Sequence, residues 1–588
     1  MSDNPIIYLA KKTWTFSKGN RWHIILFVSF FIVANIIALL LPLIVAKILN
    51  TVQEQGISND NFYFFLFLIS LFIVQTVAFW AFHGPARVME IRNAFLARAN
   101  YKQYLLHGTF SLPLAWHTDH HSGDTIDKIE KGSRALFDFS ENSFQFIQAG
   151  VRFLGSIIAL AFFSFNTLFI IAFTTFIAIR IIMRFDRAII PKYRELNGFE
   201  NKISSKIYDG ISNIQTVIIL RVESLLESDI AKSIRHPFEM FVRTAKLNEW
   251  KWFMASIASS ATSFFVLGLY AFSTLRSGEA ILIGTLYALY TYTERINDIF
   301  YTFAYLYSDT VRWRTSLENA EEVSKQFRKQ TGTKQHTFRN WETCSIESLQ
   351  FSYHGKKSED LHLDNVSIVF PRGEKIAVIG ESGSGKTTFL KILRGLYVPT
   401  SVTVSLDAHA LPGGFASMQD DIALIPQDPE IFATTIRENI TMGIDRTDEE
   451  IARHTDIARF THVIDRLPNG LASSIVERGV NLSGGEKQRL ALARGLMASE
   501  DKSIILLDES TSSVDTHNEA GIYENIFSTY RDKTIIASIH RLHLLRLFDT
   551  IHLFDKGQII ATGNFEELLE SSSLFNEMWA KYSKTRKK

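Results

Sequence analysis

From Gly380 to Thr387 the chain reads Gly-Glu-Ser-Gly-Ser-Gly-Lys-Thr, directly after the apolar run Lys375–Ile379 and before Thr388-Phe389-Leu390-Lys391-Ile392-Leu393. The run predicts a strand, the following segment a helix, and the glycines a tight turn between them. Gly380, Gly383 and Gly385 let the backbone double back, so that successive N–H groups and the positive end of the helix face one anion. Within Gly380, Glu381, Ser382, Gly383, Ser384, Gly385, Lys386, Thr387 and Thr388, Lys386 adds a charge for terminal phosphates and Thr387 a hydroxyl for Mg2+. A second apolar run, Ile504–Leu507, ends in Asp508 and Glu509. One carboxylate in that position can hold Mg2+ and the other can polarise an attacking water. A third segment, Asn481-Leu482-Ser483-Gly484-Gly485-Glu486, opens a predicted helix from Lys487 to Met497. It is another glycine-rich helix start suited to phosphate, without a lysine of the first kind. A single protomer has no need of two such ends; two copies placed head to tail would use one from each.

These residues require a framework, and the chain is long enough for two or more domains at 588 residues. Hydrophobic residues make up 46% and charged residues only 21%, with 47 Phe, a balance that points to a membrane. The net charge of +1 gives no reason to expect a nucleic-acid partner. Cys344 is the sole cysteine, which excludes an internal disulfide and any cysteine-based zinc or iron–sulfur site. Met1 to Arg21 is polar and mixed, unlike a cleavable signal peptide or an arginine-rich transit peptide.

The apolar residues concentrate in the first half. Ile24–Ala46, Phe62–Phe82, Phe153–Ile179 and Trp252–Leu275 contain no Asp, Glu, Lys or Arg. About 20 such residues cross a bilayer as a helix. Phe165-Asn166-Thr167 reads as a tight turn between two spans, and a further span from Ala280 to about Leu306 is interrupted by Glu294, Arg295 and Asp298. The expected spans are 22–47, 62–83, 144–165, 167–185, 251–275 and 279–306, in a membrane domain covering 1–325. A polar linker, 326–340, and an α/β nucleotide-binding domain, 341–588, follow. Lys11, Lys12, Lys18 and Arg21 precede the first span, whereas Asn50–Asn61 contains acids and no Lys or Arg. Positive residues stay in the cytoplasm, so the N-terminus is expected inside. The long charged segments between spans two and three and between four and five are expected to extend into the cytosol as helices.

With motifs of this kind in this order, the chain resembles a half of an ABC transporter, of the exporter type in which membrane and ATPase domains are fused (a type IV fold). Leu482-Ser483-Gly484-Gly485-Glu486 is similar to the family signature, with Glu486 where glutamine is commoner. Gln427, in Ile425-Pro426-Gln427-Asp428-Pro429, matches the glutamine loop. Ser512-Ser513-Val514-Asp515 resembles the D-loop, and His540 falls where the switch histidine belongs. Tyr353 sits where the family stacks an aromatic ring on adenine. Glu477-Arg478-Gly479 resembles the exporter x-loop, with Val476 in place of its usual preceding glycine.

The resemblance implies an N-terminal all-α domain of six spans with long cytosolic helix extensions, and a C-terminal α/β P-loop ATPase domain of ABC type. It implies ATP and Mg2+ as cofactors. Thr387, Gln427 and Asp508 would hold Mg2+, Glu509 would be the general base, and His540 would contact the γ-phosphate. Ser483, Gly484, Gly485, Glu486 and Asp515 would complete the ATP site of the partner chain. Because Glu509, His540 and the signature are all present, a homodimer with two working sites is expected. Short segments near Leu112–Asp127 and Tyr208–Val217 are expected to dock on the ATPase domain. The first contains His117, His120 and His121, read as a polar docking loop rather than a metal site. Location is expected in a bacterial inner (plasma) membrane.

The substrate is the least constrained element. Charged residues within spans are costly and face a cavity or a partner. Arg152 and Arg180 each lie roughly 20 Å from the turn near Asn166 at about 1.5 Å per residue. With Arg295 they suggest a cavity for an anionic, amphipathic or lipid-like substrate, with pairing between helices (Arg295 with an acid on a neighbouring span) or snorkelling to the inner face as the competing explanation. Small molecules, lipids and peptides remain open as cargo. An importer built on the exporter fold and an ATP-gated channel or regulator are the alternatives, while the spans exclude a soluble ATPase of translation or DNA repair.

Overall fold

The computed structural model describes residues 4–327, 341–353, 361–428, 430–475 and 482–586. The chain divides into two compact units: Met1–Ser111 with His121–Phe327, and Leu112–His120 with Arg328–Lys588. The expected x-loop residues Val476, Glu477, Arg478 and Gly479, Pro429 of the glutamine loop, and 328–340 of the expected linker lie outside the described residues.

The first unit is helical throughout. It contains α1 (Pro5–Phe16), α2 (Arg21–Leu39), α3 (Leu41–Gln55) and α4 (Phe62–Phe110). The six-residue α5 (Leu114–Asp119) groups with the other unit, and α6 (Ser122–Glu141) resumes the first. The rest comprises α7 (Ser143–Phe163), α8 (Thr167–Ser212), α9 (Ile214–Ile219), α10 (Glu223–Arg235), α11 (Phe238–Ser277) and α12 (Ile283–Ser324). Five helical stretches among the described residues are long and apolar enough to cross a membrane: 21–55, 62–110, 122–163, 167–212 and 223–277. The sixth expected span falls in α12, which does not reach that apolarity because Glu294, Arg295 and Asp298 interrupt it.

Tyr292, Glu294 and one terminal nitrogen of Arg295 on α12 find partners on neighbouring helices, which helps to offset their cost at this depth. Pro42 has no N–H and its ring crowds the preceding turn, so the first apolar run becomes two helices that break at Leu40. The break frees carbonyls at the end of α2. Tyr292 donates its hydroxyl to the Leu39 carbonyl at 2.7 Å, and Arg295 donates to that of Ala38 at 3.2 Å. Ser263 on α11 donates to Glu294 at 2.8 Å. A second break, at Asn142 between α6 and α7, is capped from α4: Glu90 accepts from the Ser143 hydroxyl at 2.6 Å and the Phe144 N–H at 2.7 Å.

The second unit is α/β. It begins with β1 (Thr343–Phe351), β2 (Leu363–Pro371), β3 (Lys375–Ile379) and α13 (Lys386–Leu393). Next come β4 (Ser401–Leu406), β5 (His409–Ala410), β6 (Ile422–Ile425), α14 (Ile436–Thr441), α15 (Asp448–Ile457), α16 (Thr461–Asp465) and α17 (Gly484–Met497). It closes with β7 (Ile504–Asp508), α18 (Thr516–Thr529), β8 (Thr534–Ser538), β9 (Thr550–Asp555), β10 (Gln558–Gly563), α19 (Phe565–Ser571) and α20 (Ser573–Arg586). The main sheet runs β10-β9-β3-β8-β7-β6, parallel except for β10, beside a smaller antiparallel sheet, β2-β1-β4-β5. All residues of β3, β7 and β8 are buried, as continuous apolar strands covered on both faces must be.

Burial also leaves a pH signature in β9. His552 is 4% exposed, bonds the Thr562 hydroxyl through Nδ1 at 2.9 Å, and is pushed down to about 4 by loss of hydration. The unfolded chain therefore takes up a proton near pH 6.5 that the folded one refuses until about 4. Stability from this group is complete above pH 6.5 and falls as pH drops towards 4. Thermal unfolding of the full-length chain in detergent should show a smaller loss between pH 7 and pH 5 for His552→Gln than for the parent. An equal loss would place the acid sensitivity elsewhere.

Candidate ATP-binding and hydrolysis site

Parallel strands open their ligand site at their carboxyl ends, and here four neighbours in the sheet deliver the candidate residues to one edge. β3 runs into the glycine turn, β7 ends in Asp508 with Glu509 directly after it, β6 leads to Gln427, and β8 leads to His540. The turn needs glycine for steric reasons. Gly380 has φ +150, and a Cβ there would run into the Phe554 carbonyl; Gly385 has φ +106 against Leu363.

Asp508 and Thr387 meet: the Thr387 hydroxyl donates to Asp508 Oδ1 at 2.9 Å, and Ser538 donates to the same oxygen at 2.8 Å. Ser538 also accepts the Glu509 N–H at 2.9 Å, so one hydroxyl of β8 aligns both acids at the end of β7 and just beyond it. Glu509 takes φ +42, a left-handed conformation uncommon for a side chain of this size. Its carboxylate accepts from Gln427 Nε2 at 2.9 Å. Lys386 is 6% exposed and donates to the Gly380 and Glu381 carbonyls at 2.8 and 3.0 Å. Burial lowers it from the ordinary lysine range, and the charges of Glu509 and Asp508 oppose that.

A cavity of about 590 Å³ is lined by Ser382–Thr388, Gln427, Glu509 and His540, together with Leu361, His362, Lys556 and Gly557. Its chemistry fits a magnesium triphosphate. A buried ammonium faces it, the Ser384 hydroxyl is buried without a hydrogen-bond partner among the described residues, and a carboxylate and a hydroxyl stand ready for a cation. Tyr353 is not among the lining residues; its hydroxyl shares a hydrogen bond with Thr388 at 3.2 Å and its ring meets His362 edge-on at 4.9 Å. His362, Ser538 and the Lys556-Gly557 turn of the β9–β10 hairpin were not anticipated. A two-residue Lys-Gly turn between apolar strands is legible as a hairpin, but only the sheet order brings it beside the glycine loop.

The signature residues stand apart from this cavity. Ser483 caps α17 reciprocally with Glu486, whose carboxylate accepts the Ser483 N–H at 2.8 Å and pairs with Arg466. Burial raises Glu486, but the bonds from Ser483 and Arg466 outweigh it and hold the group below the usual glutamate range. Asp515 caps α18 through the Asn518 N–H at 3.0 Å. Gly484 and Gly485 approach Ser513, and a Cβ on Gly485 would lie 2.7 Å from the Ser513 carbonyl.

In the membrane unit the three arginines do not all converge. Arg152 of α7 and Arg295 of α12 line a common cavity of about 270 Å³ with Gln145, Gln148, Asp298 and Thr302. Oriented to satisfy its neighbours, the Gln148 amide oxygen accepts from both terminal nitrogens of Arg152, at 2.9 and 3.2 Å. Among the described residues Arg295 Nη1 is buried with no partner and no acid pairs with this guanidinium; its centre lies 5.7 Å from the Tyr292 ring. Arg180 is exposed on α8 and is not among the residues lining this cavity. Near α5, His120 stacks on Trp116 at 4.2 Å and bonds its carbonyl, and among the described residues no group of three or more His, Cys, Asp or Glu is arranged to hold a metal.

Two family profiles match the chain: "ABC transporter transmembrane region" over residues 24–298 and "ABC transporter" over 363–512, together more than two thirds of it. The mitochondrial iron-sulfur clusters transporter ATM1 of Candida glabrata is 28% identical over 84% of this chain and 70% of its own length. The mitochondrial potassium channel ATP-binding subunit of Rattus norvegicus is 35% identical over 40% of this chain and 33% of its own. A solved bacterial Atm1-family ABC exporter with ATP bound superposes with a TM-score of 0.81, covering 95% of this chain and 99% of that one. At 20% identity that likeness is one of fold.

Proposed function

Because the chain belongs to the ABC transporters, a multi-pass membrane domain and an ATP-hydrolysing domain in one polypeptide, we propose that it works as a homodimeric exporter. In this reading two ATP sites are shared between subunits. The observation that supports it most directly is the meeting of Lys386, Thr387, Gln427, Glu509 and His540 on one cavity, with Asp508 held behind it by the Thr387 hydroxyl. Bound MgATP supplies the driving reaction, hydrolysis of the terminal phosphoanhydride.

Each residue has a task its chemistry suits. Lys386 and the Gly383–Lys386 amides hold the β- and γ-phosphates. Thr387, Asp508 and Gln427 would offer oxygens to Mg2+. Glu509 takes a proton from the attacking water, and His540 holds the γ-phosphate. Gln427 already donates Nε2 to the Glu509 carboxylate, and Oε1 of the same amide is the atom it would offer to Mg2+, so one side chain joins the ion to the base. Ser483, Gly484, Gly485, Glu486 and Asp515 close the site from the other subunit, and Tyr353 backs the adenine. The Leu112–His120 segment groups with the ATPase unit, which supports a docking role. The second expected docking segment spans the junction of α8 and α9, where Ile214, Ile218 and Ile219 are exposed. The membrane we propose is a plasma membrane with the ATPase domain cytoplasmic; the mitochondrial address belongs to the relatives' names.

For cargo we propose an amphipathic organic anion. Arg152, Arg295 and Gln148 offer positive charge and N–H donors, and the residues lining their cavity include no Cys, His or Met that would ligate a bare soft metal. An iron–sulfur-type cargo, as in the names of fungal relatives, would then have to travel with an anionic carrier. The test is vectorial transport in proteoliposomes with candidate anions, lipids and peptides. Arg152→Ala and Arg295→Ala should each lose most of the cargo-stimulated ATPase while keeping the basal rate, and Arg180→Ala should keep both. Equal stimulation in all three would remove the cavity from the reading, and uptake into right-side-out vesicles would replace export with import.

A further inference from the structure

Gln488, which none of the assigned motifs includes, lies on the second turn of α17 and is 5% exposed. Its amide meets two of those motifs at once. Oε1 accepts the Ser513 N–H at 2.7 Å, while Nε2 donates to the Ser512 hydroxyl at 2.9 Å and to the Gln427 carbonyl at 3.2 Å. One side chain on the signature helix thus ties the backbone of the glutamine loop to the D-loop.

The other side of the D-loop is held as firmly. Arg541, next to His540, donates to the Val514 carbonyl at 2.7 Å and the Ser512 carbonyl at 3.1 Å. It is anchored by Glu519, 3.0 Å away, which Thr511 also binds at 2.8 Å. Ser512 is therefore gripped through its hydroxyl by Gln488 and through its carbonyl by Arg541. Behind it, Gly485 leaves no room for a side chain against Ser513.

The geometry points to Gln488 as a positioning residue that relays movement of the glutamine loop to the D-loop. Gln427 uses its side chain to hold Glu509 and its carbonyl to hold Gln488. Any shift of that backbone is passed through one rigid amide to Ser512 and Ser513, three and four residues beyond Glu509. Buried amide hydrogen bonds of this length have little slack, and leaving the donor or acceptor unmade is costly. The relay rests on the proposed roles of Gln427 and the D-loop, but operates within one chain.

The test uses the full-length chain in nanodiscs, with hydrogen exchange of the Ser512–Asp515 segment followed with and without MgATP in a Glu509→Gln background. With Gln488 intact, MgATP should slow exchange in this segment. Gln488→Ala should bind ATP within about twofold of the parent, show no nucleotide-dependent protection there, and, with Glu509 restored, lose about tenfold or more in kcat with KM little changed, as a misplaced catalytic loop would. Gln488→Glu still accepts from Ser513 but cannot donate to Gln427; it should keep the resting protection and lose the MgATP-dependent part. Unchanged protection and kcat in Gln488→Ala would overturn the relay. So would loss of ATP binding in both variants, which would make Gln488 a folding residue. If the parent traps no dimer with ATP in the Glu509→Gln background, the shared-site reading fails instead, and the exchange comparison still decides the relay.

Discussion

A Glu509→Gln chain binds ATP as the parent does and hydrolyses it at least ~100-fold more slowly, because a positioned base contributes roughly 10²–10⁴. The substitution separates chemistry from architecture. The amide has the shape of the carboxylate, and its oxygen still accepts from Gln427 Nε2, now at 2.9 Å. The Glu509 N–H stays on Ser538, so the left-handed backbone at φ +42 is retained. What disappears is the ability to take a proton. Phosphate release by the purified full-length chain, beside fluorescent-nucleotide binding, measures both halves. Turnover above about a tenth of the parent's would move the base to another residue, with His540 the first candidate.

A mixture of Lys386→Ala and Ser483→Arg chains regains hydrolysis that neither has alone. Lys386 lines the phosphate cavity, while Ser483 lies outside it at the start of α17. If each site takes its glycine loop from one subunit and its signature from the other, a mixed dimer collects both lesions in one site and leaves the other intact. Random assortment makes about half of the dimers mixed, by the two-fold symmetry of a homodimer, so recovery to roughly a quarter of the parent rate is expected. Mixing Lys386→Ala with parent chains provides the control, because it also leaves one intact site. Activity near half of the parent rate in the control, above the roughly one quarter that parent homodimers alone supply, without activity in the double-variant mixture would sink the shared site.

How much of this was legible depended on distance along the chain. The glycine turn is eight consecutive residues whose function follows from backbone geometry, so it could be read without a fold. Asp508 and Glu509 at the end of an apolar run were equally local. Gln427, His540 and Tyr353 carried no signal singly and were found by their resemblance to a family pattern. Ser538 carried none in either way. A serine near the end of a buried strand is ordinary, and only the β7–β8 register, which sets Asp508 beside Ser538, makes it the shared support of both acids. Gln488 was missed for the same reason: its partners are 25 and 61 residues away along the chain.

The membrane unit divides in the same way. The charge-free runs announced most of the spans because a bilayer imposes length and apolarity on each helix separately. α12 is the exception: its polar residues look unsuited to the interior until Pro42 breaks the neighbouring helix and frees the carbonyls that Tyr292 and Arg295 bind. The three arginines had the same standing by depth, yet Arg152 and Arg295 share a cavity and Arg180 does not. Depth is counted along one helix, whereas sharing a cavity depends on how two helices are turned toward each other. By itself, then, the sequence determined the triphosphate chemistry and the membrane setting, because both are written in short contiguous stretches. Which residues support Glu509, tie the D-loop to the glutamine loop, and share a cavity in the membrane unit was decided only by tertiary structure, since strand register and helix packing join residues that the chain keeps far apart.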